Sequence, residues 1–157
     1  MSMKERVGHA MDRMFDRMRH RDAFQLGFEG STLGTFDGLR GKKYAVLVTF
    51  RRNGEAVPSP VWVAVDDAGR AYVRTMQASG KVKRAQHDAR VLLAPASARG
   101  RPSGPAVQGI ARVLPTSEWP HAEDTLASAY GLGRRVYEGV VGDAEGIASY
   151  LEITPTG

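Results

Sequence analysis

The chain has 157 residues, enough for one domain with a sizeable core, and a formal net charge of +5, which points to an anionic partner such as a phosphate-bearing cofactor, nucleic acid or a lipid surface. It contains no cysteine, which excludes disulfide scaffolding, thiolate catalysis and Cys-ligated zinc or iron–sulfur sites and fits a cytoplasmic location. No run of about 18 apolar residues is present and the N-terminus lacks a signal-peptide core, so stable membrane insertion is not expected.

Residues 1–21 come first, with Met3, Val7, Met11, Met14 and Met18 spaced by three or four, the pattern of one amphipathic helical face. A Gly-rich connection over Gly27 to Gly41 follows, and the pattern then turns to short apolar or alternating runs between turn residues. Six strands are expected: Tyr44 to Phe50, Pro60 to Val65, Ala71 to Thr75, Val91 to Ala94, Val107 to Leu114 and Tyr150 to Ile153. Asn53-Gly54 and Asp67 to Gly69 are hairpin chemistry, so the first three runs form a meander. Between the fifth and sixth runs lies a helical segment, residues 117–142, with a start at Ser117, Pro120 in the first turn and a continuation over Arg134 to Val141. Many strands with few marginal helices favour a β-barrel, since closure removes exposed edges.

The most informative stretch is 71–101, where the third strand leads into Ser79-Gly80-Lys81 and a short basic helix. Ser79 is a good N-cap, the freed N–H groups and helix dipole make an anion site, and Lys81 and Arg84 fall where their charges reach the same anion. Six basic residues between Ser79 and Arg101 face Asp88 alone, a local balance of +5 that equals that of the whole chain. A solvated helix face and loop would show the same composition.

Other chemistries lack their motifs. Gly131-Leu132-Gly133 continues into Arg134-Arg135-Val136 and lies among helices, unlike a dinucleotide fingerprint after a strand. Gly41-Lys42 lacks P-loop spacing, and Ser103 has the wrong flanks for a nucleophile elbow. His9, His20, His87 and His121 show no metal-ligand spacing, and no metal site is expected. Phe50 and Trp62 could form a stacking platform for nucleic acid, but the strands carry no RNA-recognition aromatic pair, so no nucleic acid is expected.

Arg51-Arg52-Asn53-Gly54, Val57-Pro58-Ser59-Pro60-Val61-Trp62, Ser79-Gly80-Lys81-Val82-Lys83-Arg84, Ala98-Arg99-Gly100-Arg101-Pro102 and the closing Tyr150-Leu151-Glu152-Ile153-Thr154-Pro155 resemble the FMN-binding split-barrel superfamily related to pyridoxamine 5'-phosphate oxidase. Within it they look like the branch that uses the deazaflavin coenzyme F420. The likeness covers residues 42–114, and residues 1–21 depart from the shorter starts of that branch. It implies a mainly β (α+β) fold, a six-stranded split barrel with peripheral helices, forming a homodimer with the cofactor between subunits. By the same resemblance Thr75, Ser79, Gly80, Lys81 and Arg84 hold the phosphate. Ser59, Pro60, Val61 and Trp62 lie along the ring, Thr49 and Arg51 stand near it, and Arg99, with Lys83 and Arg101, meets the anionic tail. The implied activity is hydride transfer from reduced F420 to a small unsaturated or conjugated substrate. FMN chemistry on the same fold and a non-catalytic cofactor carrier are the alternatives. No catalytic side chain is expected, because the cofactor carries the reactive carbon.

Overall fold

The structure, a computed structural model, describes residues 21–133, 136–137 and 147–157. The expected helix over residues 1–21 lies outside them but for Arg21, as does the continuation over Arg134 to Val141 apart from residues 136 and 137. Six strands, β1 (Tyr44–Phe50), β2 (Ala56–Val65), β3 (Ala71–Met76), β4 (Arg90–Pro95), β5 (Val107–Val113) and β6 (Ala148–Pro155), close into a barrel in the order β1-β2-β3-β6-β5-β4. Every neighbouring pair is antiparallel. Helix α1 (Gly80–His87) joins β3 to β4, and helix α2 (Trp119–Ala129) lies between β5 and β6.

Side chains alternate along each strand, so one set fills the barrel. The interior is built from Ala45 and Leu47, Val61 and Val63, Ala71 and Val73, Val91 and Leu93, Ala111, and Leu151 and Ile153. The other face of β1 and β4 is also covered. Val46, Val48, Leu92 and Ala94 pack with Ala23, Ala106 and Leu26. Burial on both faces explains why these two strands read as continuous apolar runs rather than alternation. On the far side, Ala64, Tyr72 and Tyr150 receive Ala122, Leu126 and Ala127 of α2, together with Tyr137.

The two barrel ends close differently. At the end where β1 and β3 finish, α1 lies across the opening and sends Ala85 into the core. At the opposite end Phe36 and Leu39, from the connection before β1, form the plug. Gly109 belongs to this second end. A Cβ there would meet Ile153 Cγ2 at 2.7 Å, the Thr154 carbonyl at 3.0 Å and the Phe36 ring at 3.1 Å.

Both hairpin turns form as their residues dictate, with Gly54 at φ +86° and Gly69 at φ +85°, the left-handed region that favours glycine. Two expectations need correction. Strand β2 begins at Ala56, not Pro60, because its prolines sit where no ladder donor is needed. Ser117 does not start α2: a 3-10 turn at Thr116–Glu118 precedes it, and Glu118 occupies the cap without a side-chain bond. Pro120 does fall in the first turn.

A polar network docks α2 onto the β2–β3 hairpin. His121 Nε2 lies 2.9 Å from Asp66 Oδ2, and the Tyr72 hydroxyl is shared between Asp66 (3.2 Å) and Glu152 (3.0 Å). Burial raises the Asp66 carboxyl, but hydrogen bonds from His121, the Arg70 N–H and Tyr72 outweigh it and hold the group below the usual carboxylate range. Burial and the two carboxylates push the Tyr72 phenol well above its ordinary value.

Candidate functional site

Strands β2 and β3 are in register over only three pairs, Val63↔Val73, Ala64↔Tyr72 and Val65↔Ala71. Beyond Val63 they separate, β2 staying on β1 and β3 staying on β6. The gap is a slot of about 200 Å³ with Pro60, Val61 and Trp62 on one wall and Arg74, Thr75 and Met76 on the other. Lys81 of α1, Tyr44 of β1 and Ala98 of the β4–β5 connection complete it.

The sequence of β2 keeps the slot open. The Val63 N–H donates to the Lys43 carbonyl and the Arg51 N–H to the Glu55 carbonyl, which fixes the odd-numbered residues of β2 as those bonded to β1. The backbone groups of Pro58, Pro60 and Trp62 therefore face the β3 side. A proline lacks only its N–H, and at these two places no acceptor stands opposite. The Pro60 carbonyl is left along the slot edge. Trp62 itself is 43% exposed and meets the Tyr130 ring edge-on at 5.8 Å. Burial, with the Tyr44 phenol nearby, pushes the Tyr130 phenol up to about 12.

At one end of the slot stands the Ser79 corner. Ser79 is extended (φ −71°, ψ 151°), and its hydroxyl accepts from the Val82 N–H at 3.4 Å and lies 3.3 Å from the Thr75 hydroxyl. Lys81 is only 3% exposed, an unusual depth for an ammonium group. Arg84 folds back across the helix start, its Nε donating to Thr49 Oγ1 at 2.7 Å. Its Nη1 would lie 2.5 Å from a Cβ at residue 80, so the absence of a side chain on Gly80 lets the guanidinium reach over the first turn. Thr49, Thr75, Ser79, Gly80, Lys81 and Arg84 are thus brought together, five of them beside or within α1 and β3 and the sixth across the barrel mouth on β1.

The remaining expected residues divide. Pro60, Val61 and Trp62 line the slot, whereas Ser59 is buried opposite Leu47 with its backbone turned to β1. Arg51 sits in the β1–β2 turn, paired with Glu55 at 3.8 Å. Arg99 is exposed on the turn over Ser97 to Gly100 that also carries Ala98 to the slot. Arg90 is occupied by Asp88, with bonds of 3.1 and 2.9 Å, and does not belong to the corner. Phe50 is buried against Phe28 in a 4.6 Å stack, so it forms no platform with Trp62. Tyr44, Arg74, Met76 and Ala98 escaped the sequence reading. Arg74, a charge inside a short apolar strand, was the one with a visible signal.

No family model matches the chain, and no curated protein does. Solved structures do. It is similar to the conserved hypothetical protein Rv2991 from Mycobacterium tuberculosis, with 16% identity and a TM-score of 0.58 over 88% of this chain and 86% of that one. The heme storage protein HutZ from Vibrio cholerae gives 12% identity and 0.57, over 74% and 83%. A FAD-binding protein from Mesorhizobium loti gives 16% and 0.52, over 76% and 83%. The chain spans 49% of the Agrobacterium tumefaciens protein Atu2129, which also matches. Identities this low speak for the fold. It is the split barrel, a fold also seen in a putative pyridoxamine 5'-phosphate oxidase from Listeria innocua. Among the described residues no group of three or more His, Asp or Glu is placed to hold a metal ion, and no helix is long and apolar enough to cross a membrane.

Proposed function

We propose that the chain is an F420-dependent reductase, working as a cytoplasmic homodimer, that passes a hydride to a small unsaturated or conjugated substrate. The observation that carries this reading is the buried Lys81 beside a capped helix start, opening directly onto a flat, largely apolar slot. A phosphate has its partners at Thr75, Ser79, Gly80, Lys81 and Arg84, with Thr49 fixing the guanidinium. A planar ring has an apolar wall at Pro60, Val61 and Trp62 and a polar contact from the Pro60 carbonyl. Bound there, the deazaflavin would supply the hydride. The side chains orient it and exclude water, and no protein nucleophile is required. A second copy of the chain would close the slot over the exposed Trp62.

Cation surplus beyond the phosphate corner favours F420 over FMN. Arg99 and Arg101 flank the slot on the loop that carries Ala98, and Lys83 lies on the outer side of α1. FMN has no anionic tail to use them. An FMN-dependent enzyme or a non-catalytic carrier is the second reading, favoured by the FAD-binding neighbour. A heme reading finds no histidine among the slot residues. Titration of the purified protein with F420 and with FMN at moderate salt, followed by cofactor fluorescence, tests the proposal. F420 binding much tighter than FMN is the expected result, the reverse preference moves the chain to flavin chemistry, and binding of neither overturns the reading.

A further inference from the structure

Arg74 is the one charged residue on the β3 wall of the slot. It stands directly opposite Tyr150 on β6, and the Tyr150 hydroxyl accepts a hydrogen bond from its guanidinium. Tyr150 is in turn 3.2 Å from the Tyr137 hydroxyl, and both phenols are buried, at 0% and 2% exposure. Burial pushes both phenols above their ordinary value, while the Arg74 charge pulls the other way. The phenols therefore stay neutral, and α2 brings the Glu123 charge close behind them. The guanidinium is held from the rear by the neutral, buried Tyr150 oxygen, which Tyr137 backs, and lines the slot at the front. A long side chain held in this way loses little entropy when it meets a ligand. Lys81, the other slot cation, is assigned to the phosphate, which leaves Arg74 for a second anionic feature of the occupant.

We propose that Arg74 is a charge-positioning residue that faces the delocalised anion of the reduced cofactor ring and so makes the slot bind the reduced form more tightly than the oxidised one. This rests on the cofactor reading above. Reduced flavins and deazaflavins carry a negative charge on the pyrimidine side of the ring, and a fixed guanidinium in a part-buried slot stabilises that form selectively.

The test compares wild type with Arg74→Gln, Arg74→Lys and Tyr150→Phe, measuring affinity for oxidised and reduced F420 and FMN under anaerobic conditions, with thermal unfolding as the folding control. Arg74→Gln is expected to lose at least tenfold of the preference for the reduced form, equal to about 30 mV in the bound two-electron potential. Its oxidised affinity should move less than threefold. Arg74→Lys keeps most of the preference, and Tyr150→Phe loses about threefold of it. Equal weakening of both redox forms in Arg74→Gln overturns the inference and leaves the cofactor reading standing. If that variant does not fold, an unchanged preference in Tyr150→Phe overturns it instead. A wild type that binds neither cofactor overturns the cofactor reading and this inference with it.

Discussion

The two ends of the barrel do opposite things with the same strands. The Phe36–Leu39 end is apolar and tight, to the point that Gly109 leaves no room for a methyl group. The α1 end buries Thr49, Thr75, Ser79 and Lys81 and gives up most of the β2–β3 ladder beside them. Polar burial of this kind adds little net stability, because each hydrogen bond replaces one to water. On the proposed reading stability resides at one end and recognition at the other, and substitutions should separate them.

The largest effect is expected from Phe36→Ala, which empties the plug and should lower unfolding free energy by about 3–5 kcal/mol in urea titrations, with cofactor affinity unchanged while the protein stays folded. A matching loss of affinity would break the division between the ends. Lys81→Met, which keeps the stem and removes the charge, should weaken F420 binding by about 10- to 100-fold in fluorescence titration while leaving the melting temperature unchanged or raised. Gly109→Ala should cost about 1–3 kcal/mol of stability through overpacking against Ile153 and Phe36, read by the same urea titration. Thr49→Val removes the Arg84 anchor and should reduce affinity by about three- to tenfold, with a stability change near 1 kcal/mol.

The smallest effect concerns the hairpin clamp of α2, outside both ends. The Asp66 carboxyl is held below its unfolded value, so its contribution to stability is present above the unfolded pKa of about 3.9 and is lost as pH falls through the lower folded value. Asp66→Asn should remove that part of the acid dependence in pH-resolved melts while leaving stability near neutral pH lower by a modest amount.

Much of this was legible beforehand, for identifiable reasons. Strands β1 and β3 to β6 announce themselves through β-branched and aromatic runs between turns, and Ser79-Gly80-Lys81 marks the cap because its chemistry is local. The slot is not local. It depends on where two strands part company, and Pro58 and Pro60 read as strand breakers until their backbone direction is known. Arg51 and Arg99 mark where sequence proximity to a motif stops being informative, since the first pairs with Glu55 in its own hairpin and the second is exposed on a turn. Arg74 could be flagged as an odd charge in an apolar strand, but its role follows only from the register that sets it opposite Tyr150.

The paired prolines of β2 have one more effect. An interrupted ladder ordinarily invites completion by a foreign strand, the route to domain exchange and fibre growth. Along this stretch the amides that such a strand would need, at residues 58 and 60, are missing. The cleft is consequently hospitable to a flat small molecule and inhospitable to a peptide, and replacing Pro58 and Pro60 by residues with amide hydrogens would expose a sticky edge on an otherwise sealed cylinder.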